Sequence, residues 1–143
     1  CNGILFNHCS KRRGRNFVTQ KIVQGAKDIA HGIAKELRLG NMSSSRDDGH
    51  AKDYVRAMWM MLQHPFPDDY VVATGKTHSI EEFADTVFSK LALDYKKHIV
   101  IDEEFIRPQE LHYLKGDSSK IRNTLGWNPE YTFDSLIEDM LYD

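Results

Sequence analysis

The sequence predicts an α/β fold, and three observations predict it. Short apolar runs of strand length, at residues 2–7, 37–41, 70–74 and 98–102, are separated by longer stretches of helical periodicity. The first run, Ile4-Leu5-Phe6, is continuous rather than alternating, as in a strand covered on both faces of a parallel sheet. The helical stretches carry their own start and stop residues, and Pro65, Pro67, Pro108 and Pro129 all fall between elements.

Taken in order, residues 2–7 form the opening strand. Residues 17–37 form a helix with Asn16 as N-cap and Ile22, Ala26, Ile29, Ala30 and Ile33 on one face. Gly25 and Gly32 weaken it by about 1 kcal/mol each relative to Ala. A strand at 37–41 leads into a polar loop holding Arg46, Asp47, Asp48, Gly49 and His50. The next helix buries Ala51, Tyr54, Val55, Met58, Met61 and Leu62, a series at i, i+3, i+4 and i+7. After the 70–74 strand, Ser79-Ile80-Glu81-Glu82 reads as a capping box before Phe83, Ala84, Val87, Phe88 and Leu91. Beyond the 98–102 strand, Asp117 or Ser118 starts a short helix that Gly126 ends. Thr132 starts the last helix, with Phe133, Leu136, Ile137, Met140 and Leu141 inward.

Composition narrows the function. The 143 residues make one domain's worth of chain, and a net charge of −2 gives no global field for nucleic acid. No apolar run approaches the ~20 residues of a membrane span. Cys1 and Cys9 sit in one short segment and make no disulfide framework, which fits a reducing, cytoplasmic setting. The seven histidines include no HExxH and no closely paired spacing, so no metal site is expected.

Three stretches carry candidate chemistry. The turn His8-Cys9-Ser10-Lys11-Arg12-Arg13-Gly14-Arg15 follows the first strand, where open α/β sheets bind ligands. It suits a phosphate or carboxylate, or is a solvated basic loop. Without interleaved aromatics it makes a poor nucleic-acid patch. Cys9 beside a cationic run favours thiolate, but neighbours in an extended segment point apart, so a Cys–His pair is not expected there. Arg46 in its polar loop is either an anion ligand or half of an Arg–Asp surface pair. Arg107-Pro108-Gln109-Glu110 offers a phosphate ligand and a hydroxyl acceptor, or another surface pair. No G-x-G-x-x-G turn, Walker loop or Tyr-x-x-x-Lys pair occurs.

Together the motifs resemble the GDP-mannose 4,6-dehydratase family of extended short-chain dehydrogenase/reductases. The resemblance rests on Asn2-Gly3-Ile4-Leu5-Phe6-Asn7-His8, Arg12-Arg13-Gly14, Phe17-Val18-Thr19-x-Lys21-Ile22 and Leu39-Gly40-Asn41. It continues through Arg46-Asp47-x-Gly49-His50-Ala51-Lys52-Asp53-Tyr54-Val55, Ala57-Met58-Trp59, Asp68-Asp69-Tyr70-Val71, Ala73-Thr74-Gly75 and His78-Ser79. Arg107-Pro108-x-Glu110 and Leu125-Gly126-Trp127-x-Pro129 complete it, so it spans essentially the whole chain.

The resemblance is to the family's C-terminal portion. It implies a substrate-binding lobe with one or two late strands of a Rossmann sheet whose other strands lie in an absent N-terminal half. Residues 1–14 would be the late strand and loop, and residues 15–143 mainly the lobe. By matching position, GDP-mannose contacts would be Asn7, Val18, Lys21, Arg46, Arg107 and Glu110, and NADP contacts His8 and Arg13. The implied reaction oxidises C4 of GDP-mannose by hydride transfer to NADP, eliminates water across C5–C6 and returns the hydride to C6. The product is GDP-4-keto-6-deoxymannose, on the route to GDP-fucose. The expected partners are GDP-mannose, the N-terminal half or homologous subunits, with neither nucleic acid nor membrane. This chain would carry binding residues and none of the catalytic ones. A portion of a nucleotide-sugar epimerase or reductase, or a non-catalytic remnant with a binding or regulatory role, are the alternatives. The sequence departs from the family at Cys9 (usually Glu), Lys11 (Pro), Ser45 (a basic residue) and Asp48 (Trp), and the connection from Leu91 to His98 is short.

Overall fold

The structure, a computed structural model, describes residues 1–106 and 108–142. Its elements in chain order are β1 (Gly3–Leu5), β2 (Asn7–Cys9), α1 (Val18–Ala30), β3 (Leu37–Leu39), β4 (Ser45–Arg46), β5 (Asp48–His50), α2 (Ala51–Gln63), β6 (Tyr70–Val72), β7 (His78–Ser79), α3 (Ile80–Lys90), β8 (Ile99–Ile101), β9 (Tyr113–Leu114), α4 (Ser119–Leu125) and α5 (Phe133–Leu141). Short 3₁₀ turns lie at Tyr95–Lys97 and Glu103–Phe105.

The α/β expectation holds. β1 pairs with β6, β2 with β5 and β3 with β8, all parallel, in the registers Gly3↔Tyr70, Asn7↔Asp48 and Leu37↔Ile99. β4 lies between antiparallel β7 and parallel β9. Two cores flank this frame. One packs α1, α3 and α5 through Ile22, Val23, Ala26, Phe83, Val87, Phe88, Leu136, Ile137 and Met140. The other closes Tyr54, Ala57 and Met61 of α2 on Tyr70, Val72, Ile121 and Trp127. Trp127 is wholly buried, and its indole N–H donates to the Asp53 carbonyl at 2.9 Å.

Several local expectations are corrected. The opening strand is two strands, interrupted at Phe6, whose N–H donates to Val72 O at 3.0 Å. It is not covered on both faces, since Ile4 is 56% exposed. α1 stops at Ala30, not Leu37, because Gly32 takes a left-handed φ of +72°. The Gly32 N–H then bonds Ile29 O and the Ile33 N–H bonds Asp28 O at 3.0 and 2.8 Å, which closes the helix end. Ile33 is left exposed rather than on the buried face. The N-cap of α1 is Phe17, not Asn16, and its side chain makes no capping bond. Only half of the capping box at Ser79 forms. Ser79 Oγ accepts from the Glu82 N–H at 3.0 Å, while Glu82 Oε1 lies 2.9 Å from His78 Nδ1. The reciprocal box is at α5, between Thr132 and Ser135. Gly126 ends α4 with a φ of +70°, as expected.

On α2 the packed stripe is narrower than the apolar one. Tyr54, Ala57 and Met61 are buried, whereas Val55, Met58, Trp59 and Leu62 are exposed, as is Phe66 just beyond. Among the described residues β1 pairs with β6 alone, so its other edge is open.

Candidate functional site

A cleft of about 410 Å³ opens between β2, the first turn of α1, the end of β3, β4–β5 and the segment after β8. Each wall follows from local structure. Alternation along β2 turns Asn7 and Cys9 toward the cleft and His8 away from it. Val18 and Lys21 stand three residues apart on one face of α1 and both line the cleft. β4 delivers Arg46 and β5 delivers Asp48. Gly40 lets the far wall close in: a Cβ there would lie 2.4 Å from the Phe105 carbonyl oxygen.

The cleft therefore gathers Asn7, Arg13, Val18, Lys21, Arg46 and Glu110, residues from across the chain. His8 is not among them. Its ring stacks on Tyr54 with centroids 4.6 Å apart, and its Nδ1 is 2.9 Å from Phe6 O. Arg107 lies outside the described residues.

The cations are held in distinct ways. Arg46 Nη1 donates to Ser45 O at 3.0 Å, and Nη2 is 3.9 Å from Glu110 Oε1 with both side chains mostly buried. That pairing differs from both surface pairs considered for these residues, Arg46 with an adjacent Asp and Arg107 with Glu110. Lys21 Nζ sits 3.9 Å above the Phe105 ring. Arg13 lies 3.8 Å over Phe17 and donates to His8 O at 2.9 Å, while its buried Nε has no partner among the described residues. The first turn of α1 adds backbone N–H groups that its N-cap side chain leaves free.

Two neighbouring carboxylates differ sharply. Asp47 is buried and saturated. Oδ1 accepts from Thr74 N and Oγ1 at 2.8 and 2.6 Å, and Oδ2 from Gly75 N and Gly116 N at 2.8 and 3.2 Å. Among the described residues Asp48 has one weak contact, the Cys9 thiol at 3.8 Å. Burial pushes the Asp48 carboxyl up, opposed by the Arg13 guanidinium. Burial, with Asp48 beside it, also pushes the Cys9 thiol up to about 11. Its Sγ lies 3.3 Å from Thr19 Oγ1, so Cys9 is a protonated packing residue rather than a nucleophile.

This arrangement suits a diphosphate: three cations and a free helix N-terminus face one volume, with Glu110 and Asp48 left to accept from hydroxyls. A dinucleotide cofactor is not accommodated by these residues alone. His8 and Arg13 lie on opposite sides of β2, and only Arg13 reaches the cleft. Phe105, Asp47 and Thr19 escaped sequence reasoning. The loop around Phe105 has no periodicity, while Asp47 and Thr19 lie inside quoted motifs where their polarity gives no sign of burial. Among the described residues, no group of three or more His, Cys, Asp or Glu is placed to hold a metal ion. None of the helices there is long and apolar enough to cross a membrane.

Residues 1–140 match the family described as GDP-mannose 4,6 dehydratase. GDP-mannose 4,6 dehydratase 1 of Arabidopsis thaliana is 51% identical over 141 residues, which cover 99% of this chain and 39% of that protein. The Homo sapiens GDP-mannose 4,6 dehydratase is 41% identical over 158 residues, covering 99% and 42%. The chain thus spans about two fifths of the length of such relatives and corresponds to their C-terminal part. Among solved structures, RMD from Pseudomonas aeruginosa complexed with NADPH superposes with a TM-score of 0.87 at 23% identity, over 97% of this chain and 45% of that one. A dTDP-glucose 4,6-dehydratase from Bacillus anthracis, in complex with NAD, gives 0.80 at 17% over 97% and 42%. At such identities these two likenesses speak to fold, that of the extended dehydratases and epimerases.

Proposed function

The chain belongs to the GDP-mannose 4,6-dehydratase family, and on that footing we propose that it is the GDP-mannose-binding portion of an enzyme forming GDP-4-keto-6-deoxymannose. The observation that supports this most is the convergence of Lys21, Arg46 and the uncapped start of α1 on one cleft. The diphosphate lies against Lys21 and Arg46, with Arg107 as a further ligand. Glu110 accepts from a sugar hydroxyl or the guanine edge, and Asn7 and Val18 form the wall. His8 and Arg13 belong to the edge of an NADP site whose remainder is supplied by an N-terminal half. The chain has neither a glycine-rich dinucleotide turn nor a Tyr-x-x-x-Lys pair, so hydride transfer and elimination depend on residues outside it.

The N-terminal half also has a place to dock. α2 packs through Met61 on β6 and on Leu5 of β1, and these elements carry the β1 edge left open among the described residues and the exposed Val55, Trp59 and Leu62. A further strand on β1 with its helix on α2 would cover both. In this reading residues 1–14 are the end of a nucleotide-binding sheet and residues 15–143 mainly the substrate lobe. A reducing, cytoplasmic location suits its free cysteines, Cys1 and Cys9.

Calorimetric titration tests the ligand. GDP binds more tightly than UDP or NADP, and the chain alone makes no 4-keto sugar from GDP-mannose. Preference for UDP would favour the epimerase alternative, and turnover by the isolated chain would overturn the division of labour. Light scattering tests the docking face: the isolated chain self-associates, and Trp59→Lys with Leu62→Lys reduces this. A monodisperse chain with a cooperative, high-temperature transition would contradict an uncovered face.

A further inference from the structure

Among the described residues, Asp48 is the least engaged carboxylate in the cleft. Its neighbour Asp47 is committed to four donors from Thr74, Gly75 and Gly116. Glu110 faces Arg46. Among the described residues Asp48 has only the Cys9 thiol, at 3.8 Å. Its position is fixed by the β2–β5 ladder, where it pairs with Asn7. It lines the candidate cleft and also an adjoining cavity of about 480 Å³ that holds Lys76, His78 and Arg122.

The charged groups that face it among the described residues bear on what happens when an anion arrives. From β2 and its following turn come Cys9 and Arg13, from β4 Arg46, from the β4–β5 junction Asp47, and from α2 the Tyr54 phenol. Lys21 and Glu110 share the cleft. A diphosphate on Arg46 and Lys21 takes up part of the positive charge around Asp48, leaves Arg13 beside it, and adds negative charge to the cleft. A desolvated carboxylate in that field is unfavourable, and protonation relieves it. Cys9 already holds its proton, so solvent supplies the one that Asp48 gains.

We propose that Asp48 takes up a proton when a nucleoside diphosphate enters the cleft, so that it sets the pH range in which the ligand is held. This rests on the diphosphate reading above. The sign follows from linkage. The carboxyl titrates at higher pH in the complex than in the free chain, so affinity is greatest below the free-chain value and falls as pH rises. The limiting slope is about tenfold per pH unit for one whole proton.

The experiment is calorimetric titration of the chain with GDP, at a pH above the last phosphate ionisation, in buffers of different ionisation enthalpy. The unsubstituted chain takes up protons. Asp48→Asn takes up none, binds GDP more tightly at high pH and loses the slope. Equal uptake by both proteins overturns the coupling while leaving the diphosphate site intact. Uptake that persists in Asp48→Asn and vanishes in Glu110→Gln assigns the proton to Glu110 and also overturns it. Absence of GDP binding by the folded, unsubstituted chain overturns the site reading and the coupling with it. Infrared difference spectra of the unsubstituted chain give an independent readout: GDP raises the protonated-carboxyl band at the expense of carboxylate. No such change would refute the proposal whatever the variants do.

Discussion

Alanine at position 46 weakens GDP binding by about 10- to 150-fold, the loss of one charge-assisted contact worth about 1.5–3 kcal/mol. Arg46 is well placed for an effect of this size. It is mostly shielded from water, anchored through Nη1 to Ser45 O, and its other terminal nitrogen lies 3.9 Å from Glu110 Oε1. Removing it leaves Glu110 beside an incoming diphosphate without the Arg46 charge next to it, which adds to the loss. Arg12, exposed in the turn after β2 and outside the cleft, is the control: Arg12→Ala changes the affinity little. Calorimetric titration of the three proteins with GDP decides the matter. Equal affinities for the unsubstituted chain and Arg46→Ala would make the loop at 46–50 an ordinary surface loop.

The largest loss of stability follows from Asp47→Ala. The carboxylate is 1% exposed and satisfies Thr74 N, Thr74 Oγ1, Gly75 N and Gly116 N. Alanine leaves the three backbone N–H groups without this acceptor in a partly to fully buried place, while the Thr74 hydroxyl keeps Lys76 O at 3.1 Å. The expected cost is about 3–5 kcal/mol, a large share of the stability of a small domain. Urea denaturation followed by circular dichroism measures it, and a change below about 1 kcal/mol would show that the donors find other partners. The effect carries into the site. Asp47 ties the β4–β5 junction to the turn after β6 and to Gly116, so it holds Arg46 and Asp48 on either side of it in register.

Much of the fold was legible because the signals are local. Strands expected at 70–74 and 98–102 appear as Tyr70–Val72 and Ile99–Ile101, and Ser79, Gly126 and Thr132 mark helix ends by hydrogen bonds that need only near neighbours. What failed was non-local or ambiguous. Gly32 was counted as a weak point inside a helix, whereas its left-handed φ is the stop itself. The two-residue strands β4, β7 and β9 are too short to show a period. On α2 periodicity found the apolar residues but could not tell the face used within this chain from the face left for another. The site was legible in a different sense. Local chemistry offered Arg46 and Glu110 as members of separate surface pairs, and only the family resemblance grouped them. Their proximity depends on β4 lying beside β9, a tertiary fact with no local trace.

The ladders described above also bear on how the chain reaches its native state. Gly3 must find Tyr70, Asn7 must find Asp48 and Leu37 must find Ile99 before any of the three parallel pairs exists. Each closes a long loop, and the conformational entropy of closure is spent before the contacts that reward it form. Helices can appear early in such a chain, but the sheet waits. During synthesis β1 leaves the ribosome well before β6, its strand partner among the described residues, has been made. Its apolar run, with the edge that β6 later takes still unpaired, is a segment of the nascent chain in need of a chaperone.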